Sequence, residues 1–166
     1  EKNLKNLLEK ITVLIALDGE GATKCLKISV HGAQHNQEAK KIWTYLKNKH
    51  HLHNLGIVII DSFCLPLRWG HMGISIGFYG FHPNRPYNGQ PDIFGHKIIQ
   101  GNSNLIDALS AFAGILMGEG NEQTPLLLAR GCDFIKFTDK STLSELKIPA
   151  GQVDLWSPLL KTFKFK

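Results

Sequence analysis

The chain is most constrained by Gly56-Ile57-Val58-Ile59-Ile60, a short, wholly apolar, β-branched run that ends abruptly in Asp61-Ser62. Such a run predicts a strand buried on both faces. A carboxylate directly after it cannot remain in the core alone, so it must reach water, a cation or an array of donors. Pro66, Arg68 and Gly70 follow within a few residues. Acid, hydroxyl and guanidinium at the mouth of one rigid element form the layout of a site for a metal and a phosphate or carboxylate. A capped turn with a surface ion pair explains the same residues.

A second stretch repeats this layout. Ile11 to Leu17 is an apolar strand, and Asp18-Gly19-Glu20-Gly21 follows. Neighbouring strands would bring Asp18 and Asp61 out at one rim, where two carboxylates and the Ser62 hydroxyl suit Mg²⁺ or Mn²⁺. The alternative is a hairpin at Asp18-Gly19, which that dipeptide signals strongly, with Leu26 to Val30 as the return strand.

The remaining pattern alternates helices with strands. Asn36 is a candidate N-cap for a helix carrying Ala39, Ile42, Trp43 and Leu46 at helical spacing, ending near His50, His51 and His53. Those histidines fit either a metal or, more simply, a cationic helix end. Met72 to Phe81 predicts a strand with Met72, Ile74, Ile76 and Phe78 on one face and Gly73, Ser75 and Gly77 on the other. A glycine face permits close approach of a backbone, a ligand or a second subunit. Asp92 to Ile99 reads as a turn into a strand. Ser103 is the expected cap of a helix whose buried stripe is Leu105, Ile106, Leu109, Phe112, Ala113 and Leu116, stopped by Gly118.

The loop Met117-Gly118-Glu119-Gly120-Asn121-Glu122-Gln123-Thr124-Pro125 leads into a strand at Leu126 to Ala129. It follows the negative end of a helix dipole and so is a poor phosphate cradle. It suits a metal or the donor edge of a nucleobase, with Glu119 or Glu122 accepting. It also reads as a plain acidic connector. Asp133 to Thr138 predicts a short strand, Thr142 to Leu146 a helical turn, and Thr162 to Lys166 an edge strand guarded by lysines.

Bulk properties narrow the function classes. The length predicts one domain over residues 1–166, of α+β class with mixed or antiparallel sheets and packed helices. Lysine and arginine outnumber aspartate and glutamate by 19 to 14. Arginine stands only at 68, 85 and 130, and a nucleic-acid binder would cluster arginines among aromatics, so no nucleic-acid partner is expected. Neither a membrane-spanning run nor a signal peptide is visible, and Cys25, Cys64 and Cys132 offer no CxxC pair, which predicts a reducing cytoplasm. No P-loop or dinucleotide-binding glycine motif is found.

Five segments occur in order: Ile60-Asp61-Ser62, Pro66 to Gly70, Gly89-Gln90-Pro91-Asp92-Ile93-Phe94-Gly95, Asp107-Ala108-Leu109 and Met117 to Pro125. Together, and over a span from about Asp18 onward, they resemble the coenzyme F-420:gamma-glutamyl ligase family, in particular its branch assigned to folate metabolism. The resemblance implies a γ-glutamyl ligase-like fold, an intertwined homodimer, and a GTP-dependent ligase using Mg²⁺ or Mn²⁺. Such an enzyme phosphorylates a carboxylate of a folate- or deazaflavin-type acceptor and lets the amine of L-glutamate displace the phosphate. It also implies that Asp18, Asp61 and Ser62 bind metal. Gly21 and the loop Met117, Gly118, Glu119, Gly120, Asn121, Glu122, Gln123 and Thr124 would contact the nucleotide. Arg68, the candidate catalytic residue, would bind the γ-phosphate or the substrate carboxylate, a structural pair with Asp61 or Asp92 being the alternative. The family continues after its first aspartate with Ser-Asn, where this chain reads Gly19-Glu20-Gly21. It also carries an N-terminal portion not found here. A homologue that binds nucleotide or a protein partner without turnover is therefore the second expectation.

Overall fold

The computed structural model describes the backbone of residues 13–17 and the whole of residues 35–148. The order of elements is β1 (Val13–Leu17), α1 (His35–His50), β2 (Gly56–Cys64), β3 (His71–Tyr79), β4 (Asn84–Pro86), β5 (Asn102–Asn104), α2 (Leu105–Met117), β6 (Leu126–Ala129) and α3 (Leu143–Leu146). Helices pack on a mixed four-stranded sheet of order β3-β2-β1-β6, with β4 and β5 as a separate ribbon. This agrees with the α+β expectation. No helix among the described residues is long and apolar enough to cross a membrane. The expected strands at residues 26–30 and 162–166 lie outside the described residues.

β2 is the axis of the sheet. Ile57 to Ile60 are buried, and they divide between two cores because strand side chains alternate. Ile57 and Ile59 join Ala39, Ile42, Leu52, Leu55 and Tyr79 on the α1 side. Val58 and Ile60 join Phe78, Phe81, Ile106, Ala113 and Met117 on the α2 side. A strand with helices on both faces needs apolar residues at every position, which is why the run does not alternate. β1 lies parallel to β2, with Leu17 opposite Ile60, so the two carboxyl ends reach the same edge. β6 closes the other side of β1 antiparallel.

β3 departs from the expected faces. Ile59 pairs with Gly77 but Ile60 with Ser75, so Ile76 is an extra, bulged residue. The bulge inverts the alternation. Phe78 turns to the α2 core, while Ile76 packs against the α1 core. The glycines separate likewise. A Cβ on Gly77 would stand 2.6 Å from the His35 backbone, and one on Gly73 would strike the Ser110 carbonyl of α2. Both close approaches are thus to helices of the same chain.

Five local expectations are corrected. Asn36 lies inside the first turn of α1, and its Oδ1 accepts from the Phe78 amide (3.0 Å), tying helix to sheet. Asn104, not Ser103, caps α2, its side chain accepting from the Asp107 amide (3.1 Å). The buried stripe of α2 is Ile106, Ser110, Ala113, Gly114 and Met117, rotated so that Phe112 and Leu116 are exposed. The small residues win that face because α2 must sit close to Gly73. Residues 133–138 form turns with a single Phe81–Phe137 bridge rather than a strand, and residues 92–99 form a tight loop closed by a Pro91–Lys97 bridge.

A candidate active-site edge at the carboxyl end of β2

Burial along β2 stops at Asp61, although the strand runs on to Cys64. The exposed half still pairs with β3, Asp61 opposite Ile74 and Ser62 opposite Gly73. The site is therefore built on a paired strand rather than a loop, which fixes its backbone. The Asp61 carboxylate folds back along the chain, and its Oδ1 accepts from the Ser62 amide at 2.7 Å.

Ser62 continues the α2-facing series of Val58 and Ile60 and so points toward the end of α2. There its hydroxyl lies 2.6 and 2.7 Å from the two carboxylate oxygens of Glu119. Glu119 is delivered by the helix end. Gly118, at φ 79°, leaves the helix in a conformation glycine favours, while its amide still donates to the Gly114 carbonyl (2.9 Å). The next residue is thereby thrown back toward β2. The rest of the loop is self-contained. The Gly120 amide donates to Glu122 Oε2 (2.8 Å), and the Thr124 hydroxyl to the Met117 carbonyl (2.6 Å).

Beside this pair lies a cleft of about 260 Å³, bounded by His71, Met72, Ala111 and Ile115, with Glu119 at its polar end. It exists because Gly73, Gly114 and Gly118 let α2 lie against the start of β3.

The structure brings together Ser62 and Glu119, with Asp61 one residue away. Of the expected nucleotide loop, Met117 is a buried core residue. Gly118 is the cap, and only Glu119 reaches β2. Asp18 and Gly21 lie outside the described residues. Arg68 sits in the exposed β2–β3 loop, and among the described residues neither Asp61 nor Asp92 pairs with it. The Asp92 carboxylate instead accepts from the Phe94 and His96 amides, both at 2.8 Å. Gly70 has open space around it and is required for its φ of 95°, not for a close contact.

Among the described residues no three His, Cys, Asp or Glu side chains form a metal-ligating cluster, so the histidines at the end of α1 do not gather on a metal. The donors at the β2 edge are two carboxylates and a hydroxyl. They are all hard oxygens, which fit Mg²⁺ or Mn²⁺ and not a thiolate-seeking ion. Cys132 is disfavoured as a thiolate. Burial, and then the neighbouring Asp133 carboxylate, push its thiol above the ordinary range.

The link between Ser62 and Glu119 escaped sequence reading. Its one signal was a polar residue in step with the buried even positions of β2.

Comparison with known proteins adds the family. The sequence profile described as F420-0:Gamma-glutamyl ligase matches residues 20–131. The chain is 31% identical over 81 residues to a coenzyme F420:L-glutamate ligase of Halobacterium salinarum, covering 49% of this chain and 32% of that protein. It is 34% identical over 86 residues to the enzyme of that name from Methanococcus maripaludis, covering 52% and 34%. The Methanocaldococcus jannaschii protein is 33% identical over 79 residues, covering 48% and 32%. The chain thus matches about a third of the length of these curated relatives. The profile match takes in β2, β3, α2 and the Ser62–Glu119 contact. This chain belongs to the F420-0:γ-glutamyl ligase family.

Proposed function

We propose that this chain is a γ-glutamyl ligase that joins the amine of L-glutamate to a carboxylate on a deazaflavin-type acceptor. The observation that carries the reading is the Ser62–Glu119 contact. It fastens two motifs 57 residues apart at the edge where β1 and β2 both end. A deazaflavin is favoured over a folate because the matched relatives are named for coenzyme F420. A folate acceptor is the second reading, resting on the branch resemblance of the motifs.

Amide formation from a carboxylate needs the carboxylate oxygen converted to a leaving group. An acceptor oxygen attacks the γ-phosphorus of GTP, the bond to the bridging oxygen breaks, and GDP departs. The glutamate amine then attacks the acyl carbon, phosphate leaves, and the amine loses a proton to solvent. These steps require charge neutralisation and alignment rather than a covalent protein nucleophile. Ser62 and Glu119 would hold Mg²⁺ or Mn²⁺ on the α2 side of the edge, with Asp61 at the adjoining strand position and Asp18 as the further ligands that the resemblance implies. The ion supplies neutralisation of phosphate charge when bound. The β2 backbone sets the spacing of Asp61 and Ser62, and the Gly118 cap sets that of Glu119. Arg68 offers a planar fork to an oxyanion.

The test is incubation with GTP, Mn²⁺, L-glutamate and either a deazaflavin or tetrahydrofolate, with mass detection of glutamate addition. Addition to the deazaflavin is expected. No addition to either acceptor, with GTP binding seen by calorimetry, would replace the ligase with a nucleotide-binding homologue that lacks turnover.

A further inference from the structure

We infer that the tip of the β2–β3 hairpin, with Trp69 at its centre, is the platform on which the ring system of the acceptor stacks. This rests on the ligase reading above and adds to it the residue that selects a planar acceptor.

The tip is the most exposed of several uncovered apolar stretches, with Ile93, Ile99 and Ile115 also largely in water. Leu67 and Trp69 are fully exposed, at 105% and 104% of their reference areas, on either side of Arg68. A fully exposed tryptophan contributes nothing to the fold that carries it, and large apolar surface left in water marks a contact for something else. The backbone beneath is held rather than loose. The Arg68 amide donates to the Leu65 carbonyl (3.3 Å), and Leu67 adopts φ 61°. That left-handed conformation is costly for any residue carrying a Cβ, and here no packing of Leu67 offsets it. Uncompensated strain of this kind gathers at ligand-binding loops.

Position and charge identify the occupant. Ser62 and Asp61 stand on the strand that feeds the tip. From Ser62 to Leu65 the paired chain advances three residues, or about 10 Å. A group stacked on Trp69 therefore lies well away from the carboxylate being activated at Ser62. Deazaflavin-type and folate-type acceptors are built that way, with a planar heterocycle at one end and the extendable carboxylate at the other. Arg68 directly precedes Trp69 in the tip, has no carboxylate partner among the described residues, and suits an anionic group in the linker. Indole stacking tolerates different ring systems, since it reads a π face rather than a hydrogen-bond pattern.

Tryptophan fluorescence of this chain, titrated with 5-deazariboflavin 5′-phosphate, tests the assignment. Wild type is expected to be quenched saturably. Trp69→Ala is expected to weaken binding by about tenfold or more, the usual scale for loss of one stacking partner. Trp69→Phe should retain affinity within about threefold. In turnover assays Trp69→Ala should raise the acceptor KM and leave the GTP KM unchanged. Equal affinity of wild type and Trp69→Ala overturns the proposal, as does absence of quenching in wild type. So does a Trp69→Ala protein whose only change is a lower oligomeric state, which would make the tip a contact between copies. Trp69-dependent binding without any glutamate addition would sink the ligase reading and leave the platform standing. Turnover with an unchanged acceptor KM would do the reverse.

Discussion

β2 is two strands in one. From Gly56 to Ile60 it is enclosed by α1 and α2, and from Asp61 to Cys64 it is paired to β3 but open. The same hydrogen-bond ladder runs through both halves, so the difference lies in the side chains and in what covers them. The enclosed half is stabilised by burial, roughly 1.5–3 kcal/mol for each large aliphatic side chain. The open half carries Asp61 and Ser62 with almost no burial to offset a change. Rigidity is made in one half and used in the other. A strand that simply frayed after its core would give the carboxylate no fixed place. A strand enclosed to its end would give it no water, ion or substrate.

If that division is right, substitutions should separate by half. The largest effect is expected just across the ladder, at Gly73→Val. The new side chain meets the Ser110 carbonyl, a backbone atom that cannot rotate away. Either α2 leaves β3 or the protein fails to fold, a loss of about 3 kcal/mol or more, read by urea unfolding. Gly70→Ala is the control. Nothing surrounds that position, so only the positive φ is penalised, by about 1 kcal/mol. Equal losses at the two glycines would break the account of how α2 is seated.

Next comes Ile59→Ala, in the enclosed half. The side chain is fully buried among the α1 core, and its removal should cost about 2–5 kcal/mol. The protein that remains folded should bind Mn²⁺ as wild type does, since no ligand moves. Reduced metal affinity at temperatures where the variant is folded would show that the two halves are coupled.

What could be read beforehand followed the same division. The enclosed half was legible because a continuous β-branched run has few other uses. The acid and hydroxyl after it were legible because a charge cannot follow such a run into the core. The faces of β3 were not, since one extra residue at Ile76 reverses the alternation and nothing local announces it. The stripe of α2 was misread for a related reason. Phe112 and Leu116 are the more hydrophobic residues. The helix nevertheless buries Ser110 and Gly114, because seating close to Gly73 excludes large side chains, and the Ser110 hydroxyl is satisfied by the Ile106 carbonyl (2.7 Å). The cap of α2 falls at Asn104, one position after the expected Ser103, a difference that pattern alone does not resolve. The Ser62–Glu119 contact depends on where a helix ends relative to a strand far away in sequence, and periodicity holds no such information.

A smaller effect is expected at the far end of α2. Asn104→Ala removes the cap and also the amide that donates to Asp107 Oδ2 (2.6 Å). Asp107 in turn receives the Ser75 amide (3.0 Å), so the loss should be about 1–2 kcal/mol. Differential scanning calorimetry would detect it as a lower Tm. Because this end of the helix is remote from Glu119, the acceptor KM should not change.

The smallest effect on stability belongs to the open half, and it should accompany the largest effect on chemistry. Asp61→Asn keeps the shape of the side chain and an oxygen able to accept from the Ser62 amide, so unfolding should move by no more than about 0.5 kcal/mol. What it removes is a negative charge at the edge where β1 and β2 end. If that charge holds a divalent ion against a triphosphate, Mn²⁺ binding measured by calorimetry should weaken sharply and glutamate addition should fall below detection. Ser62→Ala makes the parallel test, since it leaves the Glu119 carboxylate without its hydroxyl donor while disturbing no packing. A protein with Asn at position 61 that still turned over at the wild-type rate would leave the exposed end of β2 as only a well-built strand terminus. The metal would then have to be sought away from it.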